Sequence, residues 1–471
     1  MPTKKEPGSQ IRAFLFNMNF KKNKLNKIFN PKTLAIIGAN SGEKSVGWGL
    51  LKNAIVGKSK RKIFAVNPNY NKVLNMKCFP SVLSIKEGID LAVIAVPAKI
   101  VPQVVEECCR KKVGGMIVVS SGFAESGKAG KMLEEKIVKM ARSAGIPLMG
   151  PNCLGVIRPD ILLNASFAPA SPRAGEIALF SQSGALVDSV IDESLGKNCG
   201  FSVLASYGNE ADIALSDFLR WAEKDEKTKV IALYLEGIKE GRGIMNVFSE
   251  VSAKKPILAL KAGRTEVGKK AVSSHTGSLA GEYRIYQALF KQTGVIEVDT
   301  VRDLLSLAKT LAWQPSCDNG IAIITNGGSC GVLLADYCQE LGISLPKFSE
   351  KTLISLDKSG KMHPAYSRRN PLDVVGDALS GRYEAALEII LRQPDIKGLI
   401  VVQTLQIMTE PEKNAKIIIK ANKKWKNKPI VAAFLGGSIT ASGTKLLEKN
   451  RVPNYDELKD AALAMKSLIR N

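Results

Sequence analysis

Three stretches of this chain carry side chains suited to phosphoryl chemistry. In "FSQSGALVDSV" an apolar run ends in Ser181, Gln182, Ser183 and Gly184 before a helical pattern begins. Small hydroxyls together with the amides of a helix start form a seat for a tetrahedral dianion, and the same hydroxyls also serve as plain helix caps. In "SSHTGSLAGE", Thr276 and Gly277 make a similar nest, next to His275, one of only two histidines in 471 residues. A neutral imidazole is nucleophilic near neutral pH, provided its second ring nitrogen is held as N–H by a carboxylate or carbonyl. In "ALYLEGIKEGR" an apolar strand ends at Glu236, which is either that orienting carboxylate or a surface residue capping the next helix. The other histidine, His363 in "KMHPAY", reads as a solvated bystander.

A second group of turns suits a phosphorylated cofactor. "AIIGANSGEKSVGWGL" ends a strand and opens a helix, with Gly38, Asn40 and Ser41 in the turn. The spacing is not G-x-G-x-x-G, and the second strand, "KIFAVNP", ends in Asn67 and Pro68 rather than in the acid that a nicotinamide binder offers to its ribose. Asn67 with Lys72 suits a phosphorylated ribose, which coenzyme A carries. The bland alternative is a turn that only closes strand onto helix. Val96 and Pro97, then Ser121, Gly122 and Phe123 in "SSGFAESG", follow at further strand ends, where ligands of open parallel sheets lie. In "GPNCLGV", next to Cys153, Asn152 either hydrogen-bonds a carboxyl or thioester oxygen or makes an ordinary Asx turn.

The elements that position these turns recur in three series. Short apolar strands alternate with helical stretches from about residue 32, again from "EIALFSQSG", and again from "GIAIITNGG". Continuous apolar strands of this kind predict parallel sheets covered on both faces, hence an α/β protein of three domains. The expected boundaries are a basic extension over 1–30, a Rossmann-like domain over 31–155, a flavodoxin-like domain over 156–314 and a second flavodoxin-like domain over 315–471. No apolar run approaches the roughly 20 residues of a spanning helix.

Lys and Arg number 67 against 44 Asp and Glu, for a net charge of +23. That balance attracts polyanions of several kinds, but no nucleic-acid module signature accompanies it, so specific nucleic-acid binding is not expected. The eight cysteines form no CxxC pair and no Cys/His set, so no metal site is expected on this chain. Without a secretory core at the N-terminus, the expected setting is the reducing cytoplasm.

The ordered set "GPNCLGV", "SQSGA", "YGNEADI", "ALYLEGI", "SSHTGSLAG", "NGG" and "NPLDVVGDA" resembles the α subunit of ADP-forming acyl-CoA synthetases of the acetate–CoA ligase type, in the succinyl-CoA synthetase superfamily. The resemblance spans about residues 30 to 465. It implies a CoA-binding domain followed by two ligase domains, and an enzyme that turns acyl-CoA, ADP and phosphate into carboxylic acid, ATP and CoA through acyl phosphate and phosphohistidine. The family's phosphorylated histidine falls on His275 and its stabilising glutamate on Glu236. The phosphate contacts fall on Ser181, Gln182, Ser183, Gly184, Thr276 and Gly277; those to CoA on Gly38, Asn40, Ser41, Asn67, Pro68, Lys72, Val96, Pro97 and Ser121; and those to the acyl group on Gly122, Phe123, Asn152 and Cys153. No ATP-grasp segment is recognisable, so ADP or ATP with Mg²⁺ would sit on a separate ATP-grasp β subunit in an α2β2 heterotetramer. His275 would then travel between two sites, as a residue on a Gly/Ser loop could. "NGGSCGV", where the family reads Gly-Gly-Pro-Gly, departs from the pattern.

Overall fold

The computed structural model describes residues 25–241, 243–276 and 281–470, without the side chains of 273–276. The chain forms two compact units, one running to Leu305 and the other from Ser306. The first holds two sheets and the second holds one.

The first sheet contains β1 (Thr33–Ile37), β2 (Lys62–Val66), β3 (Lys72–Val73), β4 (Met76–Phe79), β5 (Leu91–Ile94), β6 (Gly115–Val118) and β7 (Leu148–Met149), in the order β3-β4-β2-β1-β5-β6-β7. Apart from β3, which pairs antiparallel with β4, all neighbours are parallel. This is the nucleotide-binding order, which reverses between β1 and β5. All four residues of β5 and of β6 are buried, because helices cover both faces; these strands therefore read as unbroken apolar runs.

At the reversal, Gly38 has φ +94° and donates its N–H to the Val66 carbonyl at 2.9 Å. A Cβ there would lie 2.2 Å from the Ala95 carbonyl oxygen. Only glycine fits both the backbone angle and the approach of β1 to the β5 end. Gly38→Ala is expected to cost more than about 2 kcal/mol, visible as a lowered urea midpoint with unchanged slope.

The second sheet contains β8 (Gly155–Arg158), β9 (Leu163–Ser166), β10 (Arg173–Ser181), β11 (Gly200–Ser206), β12 (Val230–Leu235), β13 (Ile257–Lys261) and β14 (Ile296–Val298), in the order β14-β13-β12-β10-β11-β8-β9. Its five parallel strands have the flavodoxin order, with the reversal between β10 and β12. The hairpin β8–β9 extends this sheet antiparallel to β11. Only the second half of "PDILLNAS" is strand, because Leu163, Asn164, Ala165 and Ser166 are all buried at the sheet edge, after a 3-10 turn at Pro159–Ile161. Residues of both sheets, among them Leu34, Val93, Phe180 and Leu233, share one hydrophobic cluster.

In the second unit β15 (Ile321–Thr325), β16 (Leu372–Asp373), β17 (Gly398–Gln403), β18 (Ile430–Phe434) and β19 (Asn454–Tyr455) run parallel in the order β16-β15-β17-β18-β19, the flavodoxin order again.

Two expectations need correction. The extension assigned to 1–30 ends earlier, since residues 25–29 are helical and bury Leu25, Ile28 and Phe29. Their spacing makes an apolar stripe, and Phe29 lies with its ring centroid 4.2 Å from that of Trp221. The segment before His275 is helical as well: a helix spans Glu266–Thr276. Thr265 caps it by accepting from the Gly268 amide at 3.1 Å, so the small-residue stretch taken for loop continues a helical turn through the backbone of His275.

Candidate functional site

The reversal of the second sheet brings two of the three phosphoryl stretches together. At the end of β10 the fully buried Ser181 donates its hydroxyl to the Ser183 carbonyl at 2.7 Å and accepts the Ser183 amide at 3.0 Å. Ser183 in turn caps the helix Gly184–Gly196 by accepting the Leu186 amide at 3.3 Å. Both serines thus shape the turn. What faces outward is the start of a 13-residue helix, where the dipole favours an anion.

Gln182 joins this turn to the neighbouring strand end. Its side-chain oxygen accepts from the backbone amides of Glu236 at 2.5 Å and Gly237 at 3.0 Å, and its Nε2 donates to the Gly237 carbonyl at 2.9 Å. The backbone position of Glu236 is therefore set by the turn that begins the helix. The carboxylate follows β12 directly and is 5% exposed. Burial, with the adjacent Glu236 charge and its hydrogen bond, pushes the Tyr234 phenol up to about 12. A carboxylate on a backbone fixed this way, at the ligand edge of the sheet, can set the tautomer of an imidazole.

Sequence reasoning assigned no role to Glu210, although "YGNEADI" contains it. It adopts φ +51°, is 8% exposed, accepts the Leu215 amide at 2.7 Å and accepts from Gln182 Nε2 at 3.3 Å. Burial raises its carboxyl to about 7, and the Glu240 charge adds to the rise. A carboxyl that gives up its charge this readily lowers repulsion against an incoming phosphate. The linkage has a definite sign. Below the ordinary value of 4.5 both states are protonated; as pH climbs toward 7 the unfolded chain ionises first and the fold loses stability. Comparing urea unfolding at pH 5 and pH 8, the stability difference between Glu210→Gln and the parent should move in the variant's favour by ~2–3 kcal/mol, at about 1.4 kcal/mol per unit.

The segment carrying His275 is closed at its base by an ion pair, Lys269 Nζ to Glu282 Oε1 at 2.7 Å. The backbones of His275 and Thr276 form the last turn of their helix. Their side chains, and all of Gly277, lie outside the described residues.

The residues expected to meet CoA and the acyl group cluster at the first reversal and beside it. Asn40 accepts the Gly42 amide at 2.7 Å. Asn67 donates to the Ala39 carbonyl at 2.8 Å and accepts the Asn69 amide at 2.9 Å, so its amide closes the Gly38 turn. Ser41, Pro68, Lys72, Pro97 and Ser121 are exposed, and Val96 is half-buried. Asn152, in the left-handed region, donates to Asn209 at 3.3 Å. Phe123 is fully buried, and Cys153 is 4% exposed with its thiol donating to the Val118 carbonyl at 3.3 Å; burial pushes that thiol up to about 12. Both belong to the packed interior rather than to a surface that an acyl group could touch, because the turns that carry them fold inward.

Two further residues gather here. Glu125 accepts the Gly122 and Phe123 amides at 2.6 and 3.0 Å, and Asn209 donates to Glu125 and Glu134 at 2.5 and 2.8 Å. These contacts link the first sheet's loops to the second's. Both residues lie in stretches quoted from the sequence, yet no spacing rule singles them out.

Sequence models of three families match successive segments: a CoA binding domain over 32–159, a succinyl-CoA ligase like flavodoxin domain over 174–311 and a Ligase-CoA domain over 321–467. The chain is 38% identical over 450 residues to the acetate–CoA ligase (ADP-forming) II subunit alpha of Pyrococcus furiosus, covering 95% of this chain and 97% of that one. It is 42% identical over 450 residues to the acetate–CoA ligase (ADP-forming) of Methanocaldococcus jannaschii, covering 95% of this chain and 63% of that enzyme. It likewise spans 63% of the length of the Archaeoglobus fulgidus acetate–CoA ligase (ADP-forming) I. Among solved structures, the dinucleotide forming acetyl-coenzyme A synthetase 1 of Ca. Korarchaeum cryptofilum, in complex with phosphate and ADP, superposes with a TM-score of 0.90 at 36% identity, over 94% of this chain and 96% of that one.

Proposed function

The chain belongs to the ADP-forming acetate–CoA ligase family, and from that premise we propose that it is the α subunit of an acyl-CoA synthetase that makes ATP from acyl-CoA, ADP and phosphate, reversibly. Phosphate oxygen attacks the thioester carbon, the C–S bond breaks, and CoA leaves as the thiolate. A ring nitrogen of His275 then attacks phosphorus, and the carboxylate departs. ADP takes the phosphoryl group from His275 and restores the imidazole. Glu236 holds the other ring nitrogen as N–H and stabilises the positive charge that develops on the ring. The turn Ser181, Gln182, Ser183 and Gly184, with Thr276 and Gly277, seats the transferring phosphate. CoA lies along the first sheet's reversal near Gly38, Ser41, Lys72 and Pro97.

One observation carries this reading above the rest: Gln182 physically couples the helix start that suits an anion to the backbone of Glu236. Positioned dipoles and a fixed carboxylate are what in-line phosphoryl transfer demands. A separate ATP-grasp subunit, holding the nucleotide with its Mg²⁺ in an α2β2 assembly, follows from two likenesses. The chain matches nearly the full length of two Pyrococcus furiosus relatives that are each named as a subunit alpha. A reducing cytoplasm suits it, since among the described residues no cysteine is disulfide-bonded. Among the described residues, no helix is long and apolar enough to cross a membrane.

The test is to co-purify the chain with a candidate ATP-grasp partner and supply acetyl-CoA, ADP and phosphate. ATP should form with a stoichiometric release of free thiol. CoA binding without ATP formation or histidine phosphorylation, across a panel of acyl groups, would make it a CoA sensor instead.

A further inference from the structure

Beyond Glu236 and His275, one buried cation sits where the strand ends of this site meet. Lys261 is the last residue of β13 and is 1% exposed. Its Nζ donates to the backbone carbonyl of Glu236 at 2.9 Å and also bonds the Ala262 carbonyl. It lies 4.5 Å from the centre of the Tyr286 ring, and the Tyr286 hydroxyl accepts the Ile238 amide at 3.2 Å. The three residues Glu236, Gly237 and Ile238 are therefore held from one side by Gln182 and from the other by Lys261 and Tyr286. The chain leaving Lys261 passes through Gly263, with φ +74°, into the helix that carries His275.

Resting on the function proposed above, we infer that Lys261 is a positioning residue for the phosphohistidine step, its ammonium tying the end of the Glu236 strand to the connection that leads into the His275 helix. A buried lysine is costly unless its hydrogen bonds are specific, and hydrophobic residues of similar size would fill the space more cheaply. Here the ammonium meets two carbonyls and an aromatic face, and it lies within the field of the Glu236 charge. Those partners lie at the end of β12, on the helix Tyr283–Thr293, and in the turn after β13.

The charged and titratable groups near it from those elements are Glu236, Arg264 and Tyr286, with Asp299 behind Arg264 and Tyr234 beyond Glu236. Burial lowers Lys261 to about 8, opposed by the Glu236 charge and reinforced by Arg264. Loss of its proton just above neutrality turns the charge-assisted bond to the Glu236 carbonyl into a weaker neutral one and loosens the tie.

The step can be followed on the full chain with radiolabelled acetyl phosphate as donor: the N–P bond forms at His275, the P–O bond to the acetyl group breaks, and acetate leaves. Labelling rates are measured from pH 6 to pH 10 for the parent, Lys261→Arg and Lys261→Met. The parent rate should fall above about pH 8. Lys261→Arg keeps its charge at every pH used, so its decline should move up by about one pH unit or more. Lys261→Met should label on the order of a hundredfold more slowly at pH 7, without the alkaline decline, as a misplaced carboxylate predicts. A merely structural lysine would change the rate without moving the pH profile.

The inference is overturned if the parent has no alkaline decline, or if Lys261→Arg declines at the same pH as the parent. Should Lys261→Met fail to fold, the comparison of Lys261→Arg with the parent decides alone. If His275→Ala still labels at the parent rate, it is the proposed function that fails, not the role of Lys261 within it.

Discussion

Replacing His275 by Asn should leave CoA binding intact and eliminate acid-labile phosphate on the chain. With the partner subunit present, ATP formation from acyl-CoA should drop by on the order of 10⁴-fold or more, the scale seen when a covalent nucleophile is removed from a group that acts as a unit. Asparagine is the informative choice, because it preserves a polar side chain while removing the second ring nitrogen. The backbone of this position ends a helix, and the ion pair between Lys269 and Glu282 closes the segment below it. Neither depends on the imidazole. A variant that keeps ATP formation within tenfold of the parent would remove the phosphohistidine from the mechanism.

Glu236→Gln should be the next most damaging change. The amide keeps the volume, and the backbone of residue 236 stays clamped by Gln182 and Lys261 through bonds that do not involve the carboxylate. Only the charge is lost. An imidazole whose N–H partner becomes an amide adopts the wrong tautomer part of the time and loses stabilisation of its cationic form, so labelling of His275 should slow by roughly 10²- to 10⁴-fold. An independent reading comes from Tyr234. Burial is the main reason its phenol stands at about 12, and the Glu236 charge with its hydrogen bond supplies the rest. Ultraviolet titration of the variant should find that phenol lower, yet still above its ordinary value. An unchanged Tyr234 would mean that the carboxylate does not sit where the hydrogen-bond network puts it.

Much of this arrangement was legible beforehand, and for a local reason. Apolar runs ending in small polar residues mark β1, β10, β12 and β15, since a parallel strand must be buried on both faces and must stop where a turn starts. Ser181, Gln182, Ser183 and Glu236 stood out because type and position agree at a strand end. The helical character of the His275 backbone was missed because serine, threonine and histidine are weak helix formers, and the Thr265 cap that starts the helix lies ten residues earlier. The hairpin β8–β9 was missed because Asn164 and Ser166 read as loop until a sheet edge buries them.

A repeat between domains was equally hidden. In the second unit Thr325 donates to the Gly327 carbonyl at 3.1 Å and accepts its amide at 3.0 Å, as Ser181 does with Ser183. Asn326 accepts the Thr404 amide at 2.7 Å, as Gln182 accepts that of Glu236. The two turns share almost no residue identities, but both solve the same problem of closing a strand end beside a sheet reversal. The second places Thr404 where the first has an acid, so only one of them can orient a histidine by charge.

By itself the order of residues determined which strand ends carry hydroxyls, amides and carboxylates, because those choices are local and each is made within a few positions. It also determined three layered α/β domains, since burial on both faces leaves unbroken apolar strands. Which of those ends meet was decided only in three dimensions. Strand order sets β12 beside β10, on the edge away from β11, and that neighbour relation lets Gln182 reach Glu236 and Lys261 reach it from the far side. Glu210 and Lys261 owe their altered ionisation to burial by elements far away in the chain, and no short stretch of sequence encodes that.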